Sequence, residues 1–220
     1  MEYTVIVPAY NEEKTLPSLL KSLRRVARRI IVVDDGSTDR TYETARKFGV
    51  SVIKHERNFG KGYAVASALK ECKTDFVVLI DADGQHLPSE IPLLLKKLRK
   101  CDLVIGNRFA KKQHIPFHRL VANKLLSVLL KSSTGVSDPL CGFRAFRKEK
   151  FSNLREREFN IELEILFKAV DSGLTICEVP ITVKYPSRNS KTAGLLGGAI
   201  VYLKLLLYAV SWLFSTHLFK

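Results

Sequence analysis

The sequence predicts an α/β protein with a mostly parallel sheet that helices cover on both faces. The main observation is that apolar, strand-like runs alternate five times with helical patterns between Tyr3 and Gly106. Such alternation is typical of strand–helix–strand units. A second observation is that Phe76–Ile80 is apolar throughout, as expected of a strand buried on both faces. With 220 residues, 46% of them hydrophobic, the chain is expected to form one domain around one core.

The first half of the chain carries a signal for each element. Strands are predicted at Tyr3–Val7, Ile30–Val33, Ser51–His55, Phe76–Ile80 and Leu103–Gly106. Helices are predicted at Leu16–Val26, Asp39–Phe48, Tyr63–Cys72 and Ile91–Leu98. The helical segments are recognised by the spacing of their apolar residues, and Gly49 is expected to end the second helix.

After Arg108 the pattern is less regular. We predict a basic loop at Ala110–Pro116 and a helix at Phe117–Lys131. A strand at Gly142–Phe146, a helix at Glu162–Asp171 and a strand at Val179–Val183 are expected to follow. The apolar stripe of the first of these helices is formed by Leu120, Val121, Leu125, Val128 and Leu129. Apolar and polar residues alternate in the last strand, which suits an edge or mixed position in the sheet.

The last segment, Gly194–Ser215, is almost wholly apolar and long enough to cross a bilayer, which takes ~20 residues. Lys204 lies at its middle, where a lysine costs roughly 2.5–3.5 kcal/mol on insertion scales. We therefore favour an amphipathic helix in the membrane interface over a spanning helix, and a buried helix of the core is the third alternative. The expected domains are a globular unit at 1–192 and this membrane-associated helix at 193–220.

The formal charge of +14 implies an anionic partner: a phosphorylated substrate, an acidic membrane surface or nucleic acid. The charge is spread along the chain and no nucleic-acid motif is present, so nucleic acid is not favoured. The cysteines at 72, 101, 141 and 177 have no metal-binding or redox spacing. We expect all four to be reduced and largely buried, in a cytosolic chain without a secretory signal.

Acidic and polar residues follow three of the predicted strands. Pro8–Glu12 follows the first strand, Asp34–Asp39 the second and Asp81–His86 the fourth. Because the strands are parallel, these segments are expected at one edge of the sheet, where α/β proteins build nucleotide pockets. No Gly-x-Gly-x-x-Gly or Walker A sequence is present, so a dinucleotide or P-loop site is disfavoured.

Asp81 and Asp83, separated by Ala82, form an Asp-x-Asp pair at the end of the fourth strand. Two carboxylates that converge repel each other, so a divalent cation is a natural partner. Carboxylate oxygens suit Mg²⁺ or Mn²⁺, and Mg²⁺ keeps its other positions for water and substrate phosphates. The alternative is that both residues only cap and turn the chain.

Four segments carry a resemblance to a known family: Val5–Glu12, Val32–Asp39, Asp81–His86 and Gly142–Phe146. Together they resemble the family 2 glycosyltransferases of Rossmann-like GT-A fold, and more narrowly the polyprenyl-phosphate (dolichol-phosphate) mannosyl- and glucosyltransferases. The resemblance covers residues 3–192. It implies a metal-dependent, inverting transfer of a hexose from a nucleotide sugar, GDP-mannose or UDP-glucose, to polyprenyl or dolichyl phosphate at the cytosolic face of a membrane.

On the donor side, the resemblance implies a role for each matching position. The base and ribose are expected at Pro8, Tyr10, Glu12 and Asp35, with Asp34 supporting that wall. The metal and the diphosphate are expected at Asp81, Ala82 and Asp83, with Gln85 as a further metal ligand. Arg188 and Lys191 match the diphosphate-binding end of the family pattern, although the spacing is shortened and a glycine is missing.

On the acceptor side, the resemblance implies that the lipid phosphate meets Arg108, Arg119 and Asn123. Arg119 and Asn123 are one helical turn apart and so face the same way. Asp83, Arg108 and Arg119 are the candidate catalytic residues. A lipid phosphate is already ionised at neutral pH, so its attacking oxygen needs little help from a base. The metal and basic side chains stabilise the departing diphosphate.

Other interpretations of these residues stay open. Arg108 and Arg119 are alternatively solvated surface charges. Asp138 is interpreted as a turn residue, with a catalytic base as the alternative. Glu162 and Glu164 are interpreted as a solvated helix face, with an approach of one of them to the sugar as the alternative, and His86 and His114 as loop residues near the site. A second enzyme hypothesis keeps the fold but uses a saccharide or protein hydroxyl as the acceptor, which requires a carboxylate base.

Overall fold

The computed structural model describes residues 1–113, 115, 117–151, 154, 161–185 and 195–217. In these ranges the strands are β1 (Tyr3–Ala9), β2 (Arg29–Asp34), β3 (Ser51–Lys54), β4 (Phe76–Leu79), β5 (Leu103–Asn107), β6 (Arg144–Arg147) and β7 (Ile176–Pro180). The helices are α1 (Leu16–Leu23), α2 (Thr41–Lys47), α3 (Lys61–Glu71), α4 (Ile91–Leu98), α5 (Phe117–Thr134), α6 (Ile161–Asp171) and α7 (Leu195–His217). Short 3₁₀ helices are formed by Pro88–Glu90 and Lys148–Phe151.

These strands form one sheet in the order β3-β2-β1-β4-β6-β5-β7. Neighbouring strands are parallel except at β6, which runs antiparallel between β4 and β5. The predicted mostly parallel α/β architecture is therefore confirmed. Because β6 runs in the opposite direction, its first residue lies at the edge of the sheet where β1, β2, β4 and β5 end.

The core sits around the central strands, whose sequences place apolar side chains on both faces. Fully buried residues here include Val5, Ile6, Val7, Val32, Val33, Val77 and Val78. Burial of one such side chain contributes about 1.5–3 kcal/mol relative to exposure. Helix α3 packs against β1 and β2, and α4 packs against β5, β6 and β7. The core therefore fixes the strand ends that build the site.

The last strand differs from its prediction. β7 ends at Pro180, and Val183 forms only an isolated bridge with His86. β7 does lie at the edge of the sheet, which the alternating pattern predicted. Proline at the end of an edge strand is compatible with this position because it has no amide hydrogen to donate to a neighbouring strand.

Helix α5 packs against α6 and α7 through a face that the predicted stripe does not include. Leu126 and Leu130 are buried, whereas Val121, Leu125 and Val128 are 50%, 58% and 76% exposed. The helix carries apolar residues on two faces, and their periodicity does not reveal which face is covered. The stripe expected from the sequence is therefore largely on the surface.

Helix α7 is held against α6 by one of its faces. Leu205 and Ala209 are buried, and the Trp212 ring stacks on Phe167 with the ring centroids 4.1 Å apart. The Trp212 indole nitrogen also donates hydrogen bonds of 3.1 Å to the Asp171 carboxylate. No helix in the described ranges has the length and apolar character needed to cross a membrane.

Two of the four cysteines are not reduced, which corrects the expectation from the sequence. Cys101 and Cys177 form a disulfide, with their Cα atoms 6.1 Å apart. Cys101 precedes β5 and Cys177 lies in β7, and the two strands are parallel neighbours. Cys72 and Cys141 are free and buried, as expected. The sequence separation of 76 residues hides the pairing, because only the strand order brings the two thiols together.

We expect the disulfide to stabilise the fold measurably, because it closes a segment of 76 residues. The loop-entropy relation assigns about 4 kcal/mol to a loop of this length. Dithiothreitol should lower the free energy of unfolding of the unmodified chain by up to that amount, as measured by urea denaturation. The Cys177→Ser variant should be less stable and insensitive to the reductant. Identical unfolding of the unmodified chain with and without reductant would contradict the assignment.

Candidate active site

The candidate site lies at the edge of the sheet where β1, β2 and β4 end. β1 and β2 are in register up to Ala9 and Asp34, and the Asp35 amide donates a 2.9 Å hydrogen bond to the Ala9 carbonyl. β1 and β4 are in register up to Ile6 and Leu79. The segments that follow these strands therefore start side by side, as the parallel order predicted.

Asn11 fixes the loop after β1 to the loop after β2. Its side-chain oxygen accepts a 2.8 Å hydrogen bond from the backbone amide of Thr38, and the backbone amide of Asn11 donates a 2.8 Å hydrogen bond to the Ser37 hydroxyl. Asn11 has a φ of 54°, a left-handed conformation that asparagine tolerates. Gly36 has a φ of 69°, and a Cβ there would overlap the backbone of Arg57. Both loops are therefore held in one conformation.

The residues predicted to hold the base and ribose line this fixed region. Pro8 is half-buried in β1, and the Tyr10 side chain is 39% exposed. The Glu12 amide donates a 2.7 Å hydrogen bond to the Thr41 hydroxyl. Tyr10 and Glu12 flank the anchored Asn11, so their backbone positions are set by the contacts between the two loops.

The Asp35 carboxylate is buried and holds the segment that follows β3. It shares a 2.7 Å hydrogen bond with His55 Nδ1 and accepts hydrogen bonds from the amides of Phe59 at 3.1 Å and Gly60 at 2.8 Å. Lys61 follows directly, at the start of α3. Asp35, which the resemblance places at the base and ribose, therefore also positions Lys61.

Asp34 is the neighbour that keeps an unsatisfied acceptor. Its side chain is fully buried, and its Oδ1 atom accepts a 3.3 Å hydrogen bond from the Ser37 amide. The Oδ2 atom is buried and has no hydrogen-bond partner among the described residues. A buried carboxylate oxygen without a partner is unfavourable, so this atom destabilises the loop that it belongs to.

Lys61 forms the charged centre of the site. Its ammonium group makes an ion pair with the Asp81 carboxylate and lies 2.5 Å from Glu162 Oε1. The three side chains are only 22%, 28% and 11% exposed, respectively. Glu162 lies in the first turn of α6, and the interpretation of this residue as part of a solvated helix face is wrong.

The charges in this cluster stabilise one another against burial. Burial alone would lower the pKa of Lys61 and raise that of Asp81, but the ion pairs with Asp81 and Glu162 raise the pKa of Lys61, and the Lys61 charge lowers that of Asp81. Burial raises the pKa of Asp83 to about 6, and the negative charges of Asp81 and Glu12 contribute to this rise. Lys61 is therefore a cation at neutral pH and does not act as a base.

Asp81 and Asp83 remain the candidate metal ligands. The Asp83 Oδ1 atom accepts a 3.0 Å hydrogen bond from the backbone amide of Gln85 and so forms a local turn after the motif. Within the described ranges, no group of three or more His, Cys, Asp or Glu side chains is arranged to hold a metal ion. Two carboxylates nevertheless fit Mg²⁺, which commonly takes one or two and completes its shell with water and substrate phosphates. The repulsion that raises the pKa of Asp83 favours a cation here.

Gly142 lets the start of β6 approach the charged cluster. A Cβ at this position would overlap the Asp81 carboxylate and crowd the Lys61 ammonium group. The adjacent Phe143 ring stacks on the His86 ring with the centroids 5.3 Å apart. His86 Nε2 lies 3.9 Å from Asp81 Oδ2, and burial lowers the pKa of His86 to about 4. A neutral imidazole therefore forms the back wall behind Asp81.

Arg144 ties the loop before β6 to the start of α6. Its guanidinium group is fully buried and donates hydrogen bonds to the backbone carbonyls of Pro139, Cys141 and Glu162, the last two at 2.7 and 2.6 Å. Hydrogen bonds from a charged donor are worth about 1.5–3 kcal/mol each. Arg144 therefore sets the position of Glu162 through the backbone.

Arg108 follows β5 at the same edge and forms a buried ion pair with Asp138. Its amide, Nε and Nη2 atoms donate hydrogen bonds of 2.9, 2.8 and 2.7 Å to the Asp138 carboxylate, which is fully shielded from solvent. Glu178 accepts a 3.0 Å hydrogen bond from the Asp138 amide. Burial opposes the Arg108 charge, but the Asp138 carboxylate raises the pKa of Arg108. The Cys141 amide donates a 3.3 Å hydrogen bond to the Asp138 carbonyl, so the interpretation of Asp138 as a turn residue is confirmed, and its carboxylate also holds Arg108.

The other predicted acceptor and diphosphate residues are less closely connected to this cluster. Asn123 is buried, and its Oδ1 atom accepts a 3.5 Å hydrogen bond from the Tyr202 hydroxyl. Arg119 lies on α5 one turn before Asn123, and the described part of the structure does not include its side chain. Arg188 and Lys191 lie outside the described residues.

Four residues of the site are missing from the set predicted from sequence. Lys61, Asp138, Arg144 and Glu162 each contact a predicted site residue or hold one that does. A signal for Lys61 was present, because Gly60–Gly62 follows β3, which ends at the same edge as β2. The positions of the other three depend on how β6 and α6 pack against the first half of the sheet, which local sequence patterns do not predict.

The family model described as Glycosyl transferase family 2 matches residues 4–155. A dolichol-phosphate mannosyltransferase of Pyrococcus furiosus is 35% identical over 213 residues, which cover 88% of this chain and 60% of that protein. A UDP-N-acetylglucosamine–dolichyl-phosphate N-acetylglucosaminyltransferase of Methanococcus voltae is 32% identical over 237 residues, covering 92% of this chain and 94% of that protein.

Solved structures give the same picture of the fold. Glucosyl-3-phosphoglycerate synthase of Mycobacterium tuberculosis in complex with phosphoglyceric acid superposes with a TM-score of 0.78 at 27% identity, covering 96% of this chain and 79% of that one. The same enzyme in complex with Mn²⁺, uridine diphosphate and glucosyl-3-phosphoglycerate superposes with a TM-score of 0.77 at 26% identity, covering 97% and 79%.

The energetic coupling between Arg108 and Asp138 can be tested by mutation. Asp138→Ala leaves the Arg108 charge buried without its partner, so we expect the free energy of unfolding to fall by about 3–5 kcal/mol. In the double variant with Arg108→Met no charge is stranded, and the loss should be smaller than the sum of the two single losses by about 1 kcal/mol or more. Urea denaturation of the four proteins measures this coupling, and strictly additive losses would show that the two side chains do not interact.

Proposed function

Because this chain belongs to glycosyl transferase family 2 and is a glycosyltransferase, we propose that it is a metal-dependent, inverting hexosyltransferase. The donor is a nucleotide sugar, GDP-mannose or UDP-glucose, and the acceptor is a polyprenyl or dolichyl phosphate at the cytosolic face of a membrane. The relatives from Pyrococcus furiosus and Methanococcus voltae, whose names specify dolichyl phosphate, support this acceptor.

The observation that carries the proposal is the charged cluster at the end of β4. Asp81 and Asp83 both follow this strand, the Asp81 charge acts on Asp83, and the Lys61 ammonium group contacts Asp81. A nucleotide sugar brings a diphosphate, which needs cations around it when the sugar leaves. The Lys61 charge supplies part of this environment, and a cation held by the two carboxylates would supply the rest, in a partly buried site where electrostatic interactions are stronger than in water.

Asp81 and Asp83, with Gln85, would hold the metal ion, Mg²⁺ or Mn²⁺. When bound, such an ion neutralises the charge that develops on the departing nucleoside diphosphate. The solved complex of the mycobacterial synthase, which contains Mn²⁺ and uridine diphosphate, supports a divalent cation. Lys61 remains protonated beside it and contributes its charge without exchanging a proton.

The nucleoside is proposed to bind along the loops that Asn11 connects. Pro8, Tyr10 and Glu12 form one side, and Asp34 and Asp35 form the other. Asp34 is fully buried and supports this wall from behind. Asp35 acts mainly by holding the segment that leads to Lys61. Ala82, Arg188 and Lys191 complete the diphosphate side of the proposed site.

The acceptor phosphate is proposed to bind between Arg108, Arg119 and Asn123. Asp138 fixes the Arg108 guanidinium group through Nε and Nη2, so its orientation does not depend on the ligand. An ionised phosphate oxygen can attack the sugar without a general base. This agrees with the ion pairs of the site, in which Asp81 and Glu162 are paired with Lys61 and Asp138 is paired with Arg108. In-line attack by the phosphate oxygen inverts the anomeric carbon.

A second candidate function uses a hydroxyl acceptor, as the mycobacterial glucosyl-3-phosphoglycerate synthase does in forming its product. Such a reaction needs a carboxylate base. Glu162 is a buried carboxylate of the cluster, but its Oε1 atom is paired with Lys61. The ion pair occupies this carboxylate, which favours the phosphate acceptor.

The proposal also includes the location of the enzyme. The globular domain at 1–192 would carry the chemistry, and the helix in 193–220 would associate with the membrane surface. Lys204, exposed on α7, suits a helix in the interface. Such a helix brings the active site to an acceptor whose hydrocarbon chain stays in the bilayer.

We expect Asp83→Asn to reduce sugar transfer by about 10²-fold or more, because the amide removes a charge that faces the diphosphate site. Asp75→Asn, at the opposite end of the same strand and exposed, is the matched control and should keep full activity. Transfer is measured with radiolabelled GDP-mannose, UDP-glucose and UDP-N-acetylglucosamine on polyprenyl phosphate, and on soluble glycans. Circular dichroism and urea unfolding establish that both variants are folded.

The outcomes separate the hypotheses. Loss of transfer in Asp83→Asn alone supports the proposed site. Full activity of a folded Asp83→Asn variant would refute it. Transfer only to soluble glycans, with none to lipid phosphate, would replace the proposed acceptor by a hydroxyl group.

A further inference from the structure

Glu90 is a buried carboxylate to which the proposed reaction assigns no role. It is the last residue of the short 3₁₀ helix Pro88–Glu90, which follows the Asp-x-Asp loop, and its side chain is only 11% exposed. A carboxylate in such a place is unfavourable unless hydrogen-bond donors surround it. The donors that face Glu90 belong to later parts of the chain, so the residue connects the Asp-x-Asp loop to them.

The main donor is Thr182, in the segment that follows β7. Its backbone amide donates to both carboxylate oxygens of Glu90, at 2.9 Å to Oε2 and 3.1 Å to Oε1, and its hydroxyl lies 3.0 Å from Oε1. The Lys111 ammonium group donates hydrogen bonds of 2.9 Å to Glu90 Oε1 and of 3.0 Å to the Thr182 hydroxyl. These donors require an acceptor with two oxygens, which a carboxylate provides and a side-chain amide does not.

The segment that Glu90 holds, residues 181–184, is also fixed from other sides. Ile181 is buried, and its backbone amide donates a 3.1 Å hydrogen bond to the last carbonyl of β5. The Gln113 side chain accepts a 2.9 Å hydrogen bond from the Val183 amide and donates one of 3.2 Å to the Ile181 carbonyl. Each backbone amide from Ile181 to Val183 therefore has a partner in a distant part of the chain.

The same segment supports the loop that contains the Asp-x-Asp pair. The Lys184 backbone amide donates a 2.9 Å hydrogen bond to the Gln85 carbonyl, and Val183 forms an antiparallel bridge with His86. Gln85 is a proposed metal ligand, and His86 forms the back wall of the charged cluster. The positions of both residues therefore depend on where the 181–184 segment lies.

These contacts form a closed ring. The chain runs from Gln85 to Glu90, the Glu90 carboxylate holds Thr182, and Lys184 returns to Gln85. A loop that is closed in this way has fewer accessible conformations than an open one. The Glu90 carboxylate is the side chain that closes the ring.

We infer that Glu90 is a positioning residue of the donor site, which fixes through Thr182 the loop that carries Asp83 and Gln85. The loop is thereby held ready for a divalent cation and a diphosphate before either binds. The inference rests on the proposed function for the identity of these ligands. It assigns to Glu90 an effect on donor and metal binding that is exerted through the backbone of other residues.

The first experiment measures amide hydrogen exchange by mass spectrometry, without metal or nucleotide. In Glu90→Gln one acceptor oxygen is replaced by an amide nitrogen, which faces the donors of Thr182 and Lys111. We expect the amides in 83–86 and 181–184 to exchange about tenfold faster or more, since a hydrogen bond to a charged group is lost. Glu71→Gln, exposed at the end of α3, is the matched control and should exchange as the unmodified chain does.

The second experiment measures the donor side directly. Mn²⁺ binding is titrated by calorimetry with GDP or UDP present, and KM is determined for the nucleotide sugar and for polyprenyl phosphate. We expect Glu90→Gln to weaken Mn²⁺ binding about tenfold or more and to raise KM for the donor, with KM for the acceptor unchanged. A merely structural residue would change the folded fraction, and hence the apparent kcat, but not the affinities of the folded protein. Thr182→Ser, which keeps both donors to Glu90, should behave as the unmodified chain does.

Each outcome decides the inference. Faster exchange in 83–86 with weaker Mn²⁺ binding and an unchanged acceptor KM supports it. Unchanged exchange in 83–86, unchanged Mn²⁺ binding, or equal rises in both KM values would overturn it. If Glu90→Gln does not fold, Thr182→Val takes its place. That variant loses only the hydroxyl contact, so a loss of Mn²⁺ affinity of about threefold supports the inference and an unchanged affinity overturns it.

The exchange experiment also keeps this test apart from the proposed function. If the unmodified chain binds no Mn²⁺ with either nucleotide and transfers no sugar from any donor, the proposed function fails. Hydrogen exchange then still decides whether Glu90 holds the Asp-x-Asp loop, because it is measured without any ligand.

Discussion

The ion pair between Lys61 and Asp81 is the interaction on which the site depends. A carboxylate at the end of a buried strand loses hydration, and only a nearby cation keeps it ionised. Several distant parts of the chain serve this contact. Asp35 holds the segment that leads to Lys61, Gly142 leaves room for the two charges, and Arg144 sets the backbone of Glu162, the second partner of Lys61. The cluster therefore forms only when segments that are distant in the sequence pack around Lys61 and Asp81.

The sequence was sufficient to predict which strand ends lie side by side. Parallel strands end at one edge, so the positions of Asp34 and Asp81 follow from the strand pattern alone, and the mostly parallel α/β fold is confirmed with the GT-A neighbours. Lys61 and Glu162 are 101 residues apart, and no periodicity connects them. The same holds for Arg108 and Asp138, which a 30-residue segment separates. Contacts of this kind depend on which later segments of the chain pack beside the earlier ones. The sequence patterns that predict strands and helices contain no information about this packing.

The single antiparallel strand explains much of what the sequence could not reveal. If β6 were parallel to its neighbours, its first residues would lie at the far edge of the sheet. Running the other way, it delivers Gly142 and Phe143 to the end of β4. The same reversal places Arg144 where it can reach the start of α6. Local patterns identify a strand here but not its direction, so Arg144 was recognised as part of a motif and its role was not.

Helix α6 connects the charged cluster to helix α7. Glu162, in its first turn, pairs with Lys61, while Phe167 and Asp171 further along hold Trp212 of α7. The helix has 11 residues and so spans about 16 Å, and helical hydrogen bonds make it rigid over that length. The distance and direction from the charges to α7 are therefore fixed by one element. The proposed lipid phosphate acceptor would require such a fixed separation between the charges and the surface from which it approaches.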